Sequence, residues 1–540
     1  MSTLGRWAGI AILGACAIAL GCGGAGKGAG SEVKEGARAA SGPTAIRYEV
    51  SLASVDPWVI DVAASFEGGV KAGVIALPPA VSGLSVEEDG AKRTPAQHGR
   101  SYQLDCAHSC IARYRFDLSG AAEMTEDAAT VAIRSGGDLV TPTSVWLIRP
   151  TPVDPYVNAT LRVDTRDPKA NGAEDPKFAA PFPRDEATGL YRMVGRDLGQ
   201  LGYTAWGSFT TVRVQATQGT LEAAVLRGAR RADDATIERW LSATARALDT
   251  VYGRFPIDRV LVVVAPQPGS GEVDFGRTVP AGGASILMLV GAEATERDLF
   301  KDWVLAHELF HLGVPSMPRD GRWLDEGLAT YYEPVLRTRA GLMPERAMWA
   351  ELRSNGARGV ATREEPSLAA AEGHDRVYYG GSLFALAADV EIRRQTGGAR
   401  SLDDGLRRAL LEGASATLVW PVEDYIAALD RGAGGGVVRA LYDRAVASRA
   451  PCGREMLLAG EGLGACAPDD APVVIRMFEA LGVKRGAYDR VSLDDTTELS
   501  HIRRSIGRLD EAVASAVAKS APGAIAGAGS ARAKAGVETP

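Results

Sequence analysis

A short histidine-containing motif constrains this chain more than any other feature of its sequence. Residues 307–311 are His-Glu-Leu-Phe-His, and they lie in a segment of helical periodicity that begins near residue 298 and ends at Gly313. Histidines four residues apart share one face of a helix, so His307 and His311 can bind one metal ion with Glu308 beside it. The chain contains only six histidines, and two of them at this spacing favour a metal site over a pair of core histidines.

The composition indicates a folded chain of several domains without a basic surplus. A length of 540 residues exceeds what one hydrophobic core usually serves, and 46% apolar with 24% charged residues can build several cores. Sixty Lys and Arg residues stand against 67 Asp and Glu residues, which gives a net charge of -7. Nucleic-acid binding requires a basic surface, so we expect no nucleic-acid partner.

The N-terminus has the pattern of an export signal that ends in a lipid-modified cysteine. Arg6 precedes an apolar run at residues 7–20, which is too short to span a bilayer and closes on small residues. Both Cys16 and Cys22 complete a segment that resembles a bacterial lipoprotein box. Cleavage before Cys22 leaves an even set of four further cysteines, which favours Cys22 as the acylated residue.

We therefore expect a signal peptide at residues 1–21 and a flexible tether at residues 22–43. Acylated Cys22 would attach the protein to a membrane, at the outer membrane or the periplasmic face of a bacterial envelope. A plain secretory signal, which would release the protein from the cell, is the alternative.

Residues 44–215 have the pattern of a β-sandwich. Their apolar segments are short, rich in β-branched and aromatic residues, and separated by Gly, Asp and Pro. Cys106 and Cys110 lie between two such segments, where a disulfide can close the end of a hairpin, and a metal site that includes His108 is the alternative. Cys452 and Cys466 are expected to form a second disulfide in the C-terminal part.

The periodicity becomes helical near residue 221, which predicts an α+β chain. A helix is expected at residues 235–253, followed by strands at 259–265 and 284–291 and then by the helix that carries the histidines. We place a second domain at residues 216–415, a helical region at residues 416–510 and a low-complexity tail at residues 511–540.

A second helical segment offers a third metal ligand. Residues 323–333 are Trp-Leu-Asp-Glu-Gly-Leu-Ala-Thr-Tyr-Tyr-Glu, and a catalytic zinc takes three protein ligands with one open position. The two motifs together resemble the gluzincin metallopeptidases, specifically the aminopeptidase N (M1) and glycyl aminopeptidase (M61) families. This resemblance implies that Glu326 is the third ligand. It also implies a thermolysin-like catalytic domain at residues 216–415 and a β domain ahead of it.

A third segment extends the resemblance. Residues 378–394 begin Tyr-Tyr-Gly-Gly and are similar to a glycyl aminopeptidase segment that begins Tyr-x-Lys-Gly, with Gly380 in place of the lysine. The resemblance implies that Tyr378 donates a hydrogen bond to the oxyanion formed during hydrolysis. It also implies that Glu308 is the general base toward a water bound to Zn²⁺.

The implied function is a zinc-dependent metallopeptidase that hydrolyses peptide or protein substrates. Two alternatives stay open. The chain could be a catalytically inactive gluzincin-fold binding protein of the cell envelope. It could also keep the metal-bound water for a non-peptide substrate, as the epoxide-hydrolysing relatives of the aminopeptidase N family do.

Substrate polarity is the point at which the chain departs from the aminopeptidase N pattern. That pattern places a glutamate for the free α-amine on the strand before the zinc helix, whereas residues 279–288 contain no carboxylate. Glu272 and Asp274 lie earlier, in an expected solvent-exposed loop. Residues 286–289 form an apolar strand that could pair with a peptide as edge strands do. We therefore expect the protein to accept N-acetylated peptides.

Overall fold

Strands dominate the described chain up to residue 207, and the longest of them alternate buried residues with more exposed ones. The computed structural model describes residues 42–124, 132–167, 174–200, 202–280, 283–360, 367–447, 471–486 and 490–508. Two short helices, α1 (Leu118–Glu123) and α2 (Thr143–Trp146), lie among the strands of this part. The strands are β1 (Ala45–Val55), β2 (Trp58–Glu67), β3 (Val70–Val74), β4 (Val81–Glu88), β5 (Ala91–Arg93), β6 (Gln97–His98), β7 (Ser101–Cys106), β8 (Cys110–Asp117), β9 (Ile133–Ser135), β10 (Asp138–Pro142), β11 (Arg149–Thr151), β12 (Asn158–Asp164), β13 (Lys177–Ala179), β14 (Tyr191–Val194) and β15 (Tyr203–Gly207).

These strands form three sheets within the described residues. The largest has seven strands in the order β14-β12-β1-β2-β8-β4-β5, and two four-stranded sheets have the orders β11-β3-β7-β6 and β13-β15-β10-β9. Their inner faces share one apolar core that includes Phe66, Leu104 and Trp146. The Tyr114 hydroxyl donates to the Trp146 carbonyl oxygen at 2.8 Å and ties β8 to the segment after β10. The N-terminal region is thus a layered β structure, as the sequence predicts.

A disulfide joins Cys106 at the end of β7 to Cys110 at the start of β8. Because the two sulfurs are bonded to each other, they are not free to bind a metal together with His108. The His108 side chain is exposed, and its Nδ1 atom lies 3.6 Å from Asp89 Oδ2.

The predictions made for Cys22, Cys452 and Cys466 lie outside the described residues, as do those for residues 1–41 and 511–540. In the part of the chain that the structure describes, no helix combines the length and the apolar character needed to cross a bilayer.

A five-stranded sheet opens the second half of the fold. Its strands are β16 (Thr210–Ala216), β17 (Gly219–Val225), β18 (Arg259–Gln267), β19 (Val273–Val279) and β20 (Ser285–Gly291). Among the described residues their order is β16-β17-β18-β20-β19, with β17, β18 and β20 parallel and the two outer strands antiparallel to their neighbours. β16 crosses the division expected at residue 215 and pairs with β17 along its full length.

The edge of this sheet differs from the prediction. Residues 286–289 lie in β20, which pairs with β18 on one side and with β19 on the other, so they form no edge. The edge strand is β19, and Asp274 lies within it rather than in a loop. The five residues between Val273 and Val279 are all partly exposed, so β19 does not show the alternation of buried and exposed residues that is typical of a half-buried strand. Pairing with β20, and not local sequence, defines this strand.

The next element is a helix, α3 (Asp234–Tyr252), whose apolar side chains join the core of the five-stranded sheet. Its start and end follow the sequence signals. The Asp233 side chain accepts the N–H of Thr236, and Gly253 ends the helix with a φ of 76°, a conformation that favours glycine.

The helix expected to carry both histidines is interrupted, so the prediction of one continuous helix is wrong. The structure has α4 (Glu296–Lys301), α5 (Val304–Phe310) and a 3₁₀ turn (His311–Gly313). The interruption is at Asp302, whose backbone is extended. Its carboxylate accepts the N–H groups of Val304 and Leu305 at 3.0 and 2.9 Å. A side chain that caps the first free N–H groups starts a new helix at that point.

Helices form most of the remaining described chain. Those on both sides of residue 415 share one apolar core with the five-stranded sheet. A π-helical turn (Arg376–Gly380) leads directly into the third of them. In chain order they are α6 (Arg322–Arg339), α7 (Glu345–Gly359), α8 (Gly381–Gln395), α9 (Leu402–Leu411), α10 (Val422–Ala433), α11 (Val437–Val446), α12 (Ala471–Ala480) and α13 (Ser500–Ile506), with a hairpin of β21 (Val483–Arg485) and β22 (Val491–Leu493) before the last.

Buried polar contacts fix α6 against the helices that follow it. The Tyr331 hydroxyl of α6 donates to Asp389 Oδ2 of α8 at 2.8 Å. The neighbouring Tyr332 hydroxyl donates to Asp403 Oδ1 of α9, also at 2.8 Å. Hydrogen bonds from a neutral donor to a buried carboxylate are stronger than neutral pairs, so they define the relative positions of these helices.

Asp249 on α3 gives the stability of the fold a measurable pH dependence. Its side chain is buried, Thr217 Oγ1 donates to its Oδ2 at 2.7 Å, and its Oδ1 has no hydrogen-bond partner among the described residues. Burial raises the pKa of Asp249 to about 6. The native state therefore holds this proton more tightly than the unfolded chain does. The free energy of unfolding consequently falls as the pH rises from about 4 to about 6.

The substitution Asp249→Asn removes the charge and keeps an acceptor for Thr217. We expect it to raise the free energy of unfolding at pH 7 by up to about 2 kcal/mol and to lose this advantage below about pH 4. Urea denaturation at both pH values measures the effect, with the exposed Asp258→Asn as control. An equal effect of Asp249→Asn at the two pH values would contradict this account.

Candidate metal centre

Three side chains from α5, the following turn and α6 converge on one point. The candidate ligand atoms of His307, His311 and Glu326 all lie within 4.8 Å of one another. Glu326 Oε2 is 3.3 Å from His307 Nε2 and 3.6 Å from His311 Nε2. The structure thus brings together the three residues that the sequence motifs single out as metal ligands.

This set of donor atoms matches a zinc site. Ligand atoms about 2.0–2.1 Å from a tetrahedral ion lie about 3.3–3.5 Å from each other, close to the spacings measured here. Two imidazoles and one carboxylate are the ligands of several catalytic zinc sites. Among the described residues no fourth His, Cys, Asp or Glu side chain joins the group, which leaves one coordination position for water or substrate.

Asp325 orients the second histidine. His311 Nδ1 lies 2.7 Å from Asp325 Oδ1, so a proton on Nδ1 is donated to that carboxylate and Nε2 is directed at the shared point. A carboxylate behind a metal-binding imidazole fixes its tautomer and increases its basicity. The sequence analysis missed this role, because nothing in the pattern distinguishes Asp325 from an ordinary acidic neighbour of Glu326.

The histidines and carboxylates of this cluster shift one another's pKa values toward the charged forms. Burial lowers the pKa of His311, but Asp325 and Glu326 outweigh burial and raise it well above its ordinary value. Burial raises the pKa of Glu326, but the hydrogen bonds of His307 and His311 outweigh burial and hold it well below its ordinary value. Glu326 is therefore ionised at neutral pH and attracts a cation.

Glu308 follows His307 in α5, and the edge strand holds its side chain. The backbone N–H of Thr278 on β19 donates to Glu308 Oε2 at 2.6 Å, and the Thr278 hydroxyl donates to the Glu308 carbonyl oxygen at 2.8 Å. Between the two elements lies Gly276, where a Cβ atom would be 2.4 Å from Val304 Cγ1 and 2.7 Å from Glu308 Cγ. Glycine is therefore required at this position for β19 to approach α5 this closely.

Tyr378 lies in the π-helical turn ahead of α8, against the metal ligands. Its ring is nearly parallel to that of His307, at 16° with 6.1 Å between centroids. Burial, together with the charge of Glu326, raises the pKa of Tyr378 well above its ordinary value. The hydroxyl therefore keeps its proton at neutral pH and can donate it in a hydrogen bond.

Three further side chains surround the site, and the sequence analysis assigned no role to any of them. The His374 ring stacks on the other face of Tyr378 at 4.3 Å and 11°. Trp303, which is 52% exposed, meets His307 edge to face at 5.9 Å. Arg322 Nε lies 3.9 Å from Glu326 Oε1. These residues come together only through tertiary contacts, although the helical spacing of Arg322 and Glu326 was visible in the sequence.

The position of Asp274 removes one argument made from the sequence. The acceptance of N-acetylated peptides was expected because the strand before the zinc helix contained no carboxylate. The strand next to Glu308 is β19, however, and it contains Asp274. The expectation about blocked peptides therefore stays untested and no longer follows from the sequence.

Comparisons with known proteins find similarity in fold but not in sequence. No family model and no curated protein match the sequence. Among solved structures, the chain is similar to an aminopeptidase N family protein from Idiomarina loihiensis, with 15% identity and a TM-score of 0.60 over 76% of this chain and 78% of that one.

Two other structures align less closely. The M1 zinc metallopeptidase from Deinococcus radiodurans has 15% identity and a TM-score of 0.45, over 76% of this chain and 95% of that one. Aminopeptidase A from Legionella pneumophila, in complex with aspartic acid, has 12% identity and a TM-score of 0.49, over 77% of this chain and 50% of that one. The first structure alone establishes that the chain shares its fold with an aminopeptidase N family protein. The resemblance to glycyl aminopeptidases stays a prediction.

The metal site can be tested through its ligands and through Asp325. We expect the native chain to bind one Zn²⁺, Glu326→Ala to lose stoichiometric metal, and Asp325→Asn to bind it about 10–100-fold more weakly. Metal analysis and competition with a chelator measure these effects. The exposed Asp320→Asn, in the turn just before α6, is the control and should bind like the native chain. Full zinc content in Glu326→Ala would remove Glu326 from the site.

Proposed function

We propose that this chain is a zinc-dependent metallopeptidase in which Glu308 is the general base. One observation carries the proposal: three zinc-type ligands converge on one point, and the residue after the first of them is a glutamate whose carboxylate is held by the edge strand. Bound Zn²⁺ would acidify a water molecule and polarise the scissile carbonyl group. The remaining steps belong to residues of the chain.

Glu308 and Tyr378 have complementary roles in this proposal. The water oxygen attacks the carbonyl carbon, and its proton passes to the Glu308 carboxylate. Glu308 then returns that proton to the amine nitrogen as the carbon–nitrogen bond breaks. The neutral Tyr378 hydroxyl donates to the negative oxygen that develops during the attack.

The edge strand β19 supports a peptide as substrate. Within the described residues its outer side pairs with no other strand, and the Thr278 N–H donates to Glu308. An extended peptide can pair with such an edge through its backbone, whatever its side chains. The scissile bond would then lie next to the base and the metal ligands.

The two alternative functions predict different behaviour. A binding protein would hold zinc and bind peptides without cleaving them, and a hydrolase of non-peptide substrates would leave peptides intact. The three ligands converge on one point and Tyr378 stacks on His307, with Glu308 next to His307 in the sequence, which favours catalysis on a carbonyl substrate.

We also propose, from the sequence alone, that acylated Cys22 attaches the protein to a bacterial envelope. A peptidase held there would act on peptides or proteins outside the cytoplasm.

The role of Glu308 can be separated from metal binding. Glu308→Gln keeps the shape and an acceptor for the Thr278 N–H, but it cannot take up the proton. We expect full zinc content and a kcat for peptide hydrolysis that is lower by about 10²–10⁴-fold. The exposed Glu293→Gln is the control. Zinc-loaded Glu308→Gln with native activity would contradict the mechanism, and a zinc-loaded native chain that cleaves no peptide in a broad library would favour the alternatives.

The role of Tyr378 is tested against its neighbour. Tyr378→Phe removes the oxyanion donor, so we expect kcat to fall by about 10²–10³-fold with zinc content and KM little changed. Tyr379→Phe is the matched control, because the Tyr379 hydroxyl accepts a hydrogen bond from Arg358 Nη1 at 3.0 Å, away from the metal ligands. Equal losses in both variants would indicate a structural role for Tyr378.

A further inference from the structure

We infer that Arg322 forms a carboxylate-binding subsite at the metal centre, so that preferred substrates carry a carboxylate next to the scissile bond. The inference rests on the proposed peptidase function and specifies its substrate class. The carboxylate can be the C-terminus of a short peptide or the side chain of an acidic residue.

The position of Arg322 is set by two residues of the site. It is the first residue of α6, one turn before Glu326, and its Nε lies 3.9 Å from Glu326 Oε1. Its guanidinium carbon lies 6.0 Å from the centre of the Tyr378 ring. Its charged group therefore lies beside both a metal ligand and the oxyanion donor. A substrate group that reaches it must be within about one residue of the bond being broken.

Arg322 lacks the close carboxylate partner that other arginines nearby have. Arg319 pairs with Glu372 at 3.1 Å and Arg358 with Asp375 at 2.8 Å. For Arg322, the only acidic group within 4 Å among the described residues is Glu326, at a distance too long for a hydrogen bond. The other oxygen of that carboxylate, Oε2, is directed at the two histidines.

The guanidinium is also open to a ligand. The Arg322 side chain is 43% exposed, and it carries five N–H donors in a planar arrangement that matches the two oxygens of a carboxylate. Metal bound to Glu326 would neutralise the one acidic group found within 4 Å of Arg322 among the described residues. Arg322 would then have Tyr378 as its neighbour and no carboxylate of the described chain within 4 Å.

The other aromatic and histidine side chains described around the site have partners of their own or carry no charge. Trp303 presents an aromatic surface beside His307. His374 covers Tyr378 and has Asp375 as its neighbour, with Nδ1 3.3 Å from Asp375 Oδ1. Asp375 is in turn paired with Arg358. Among the described residues, Arg322 is the one Lys or Arg within 4 Å of a metal ligand.

The first test compares peptide pairs that differ only in a carboxylate. One pair has a free C-terminal acid or a C-terminal amide, and the other has Glu or Gln beside the scissile bond. We expect kcat/KM to be at least about tenfold higher for the carboxylate member of one pair, mainly through KM. The pair that shows the preference identifies the source of the carboxylate. If kcat/KM is equal for the two members of each pair, the inference is overturned and the peptidase function stays intact.

Variants then assign the preference to Arg322. In Arg322→Gln the ratio between paired peptides should fall to about one, and Arg322→Lys should keep part of it, because a lysine retains the charge without the planar fork. Arg319→Gln, three residues earlier, should keep the native ratio. A loss of rate in Arg322→Gln that is equal for both members of a pair would mean that Arg322 only supports Tyr378 or Glu326, which overturns the inference.

A binding measurement makes the test independent of turnover. Calorimetry with zinc-loaded Glu308→Gln should show tighter binding of the carboxylate peptide than of its amide or Gln counterpart. The double variant Glu308→Gln/Arg322→Gln, checked for zinc content, should bind the two members equally. If the native chain cleaves no peptide, the proposed function fails. This measurement then still decides whether Arg322 binds carboxylates, and equal affinities in the single variant would overturn the inference.

Discussion

The close approach of α6 and α8 is the constraint on which the site depends. A Cβ atom on Gly327 would lie 2.4 Å from the Gly381 Cα atom, and one on Gly381 would lie 2.1 Å from the Trp323 carbonyl oxygen. Only glycine at both positions lets the two backbones meet. Glu326 immediately precedes Gly327, and Tyr378 lies just before Gly381. This contact therefore helps to position Glu326 relative to Tyr378.

The position of His307 and Glu308 depends on other elements, namely α4, α5 and β19. Asp302 ends α4 and starts α5, and this new start gives the helix that carries His307 its own direction. The edge strand then packs on α5 at Gly276, and Thr278 holds the carboxylate of Glu308. In the proposed mechanism, the strand that would pair with an extended substrate is also the strand that holds the base. One element would then position both groups.

The sequence predicts the parts of this structure that local patterns determine. The spacing of His307 and His311, the helix that ends at Gly253 and the strands before the histidines all follow from periodicity and capping. The errors concern elements that exist only through tertiary contacts. β19 depends on pairing with β20, and the break at Asp302 depends on which N–H groups its carboxylate reaches. The contact between Arg322 and the Tyr378 ring depends on how α6 packs against α8. No local sequence pattern predicts that packing.

Asp325 and Glu326 lie close together in this site, and a positive charge beside them offsets the cost of holding two carboxylates there. Without a metal, Asp325 and Glu326 outweigh the effect of burial and keep the pKa of His311 high, so the imidazole is protonated near neutral pH. Zn²⁺ binds neutral imidazole, so binding of the metal would release that proton and the affinity for metal would rise with pH. The two carboxylates would thus face a positive charge in either state, a proton on His311 without the metal and the metal ion when it is bound.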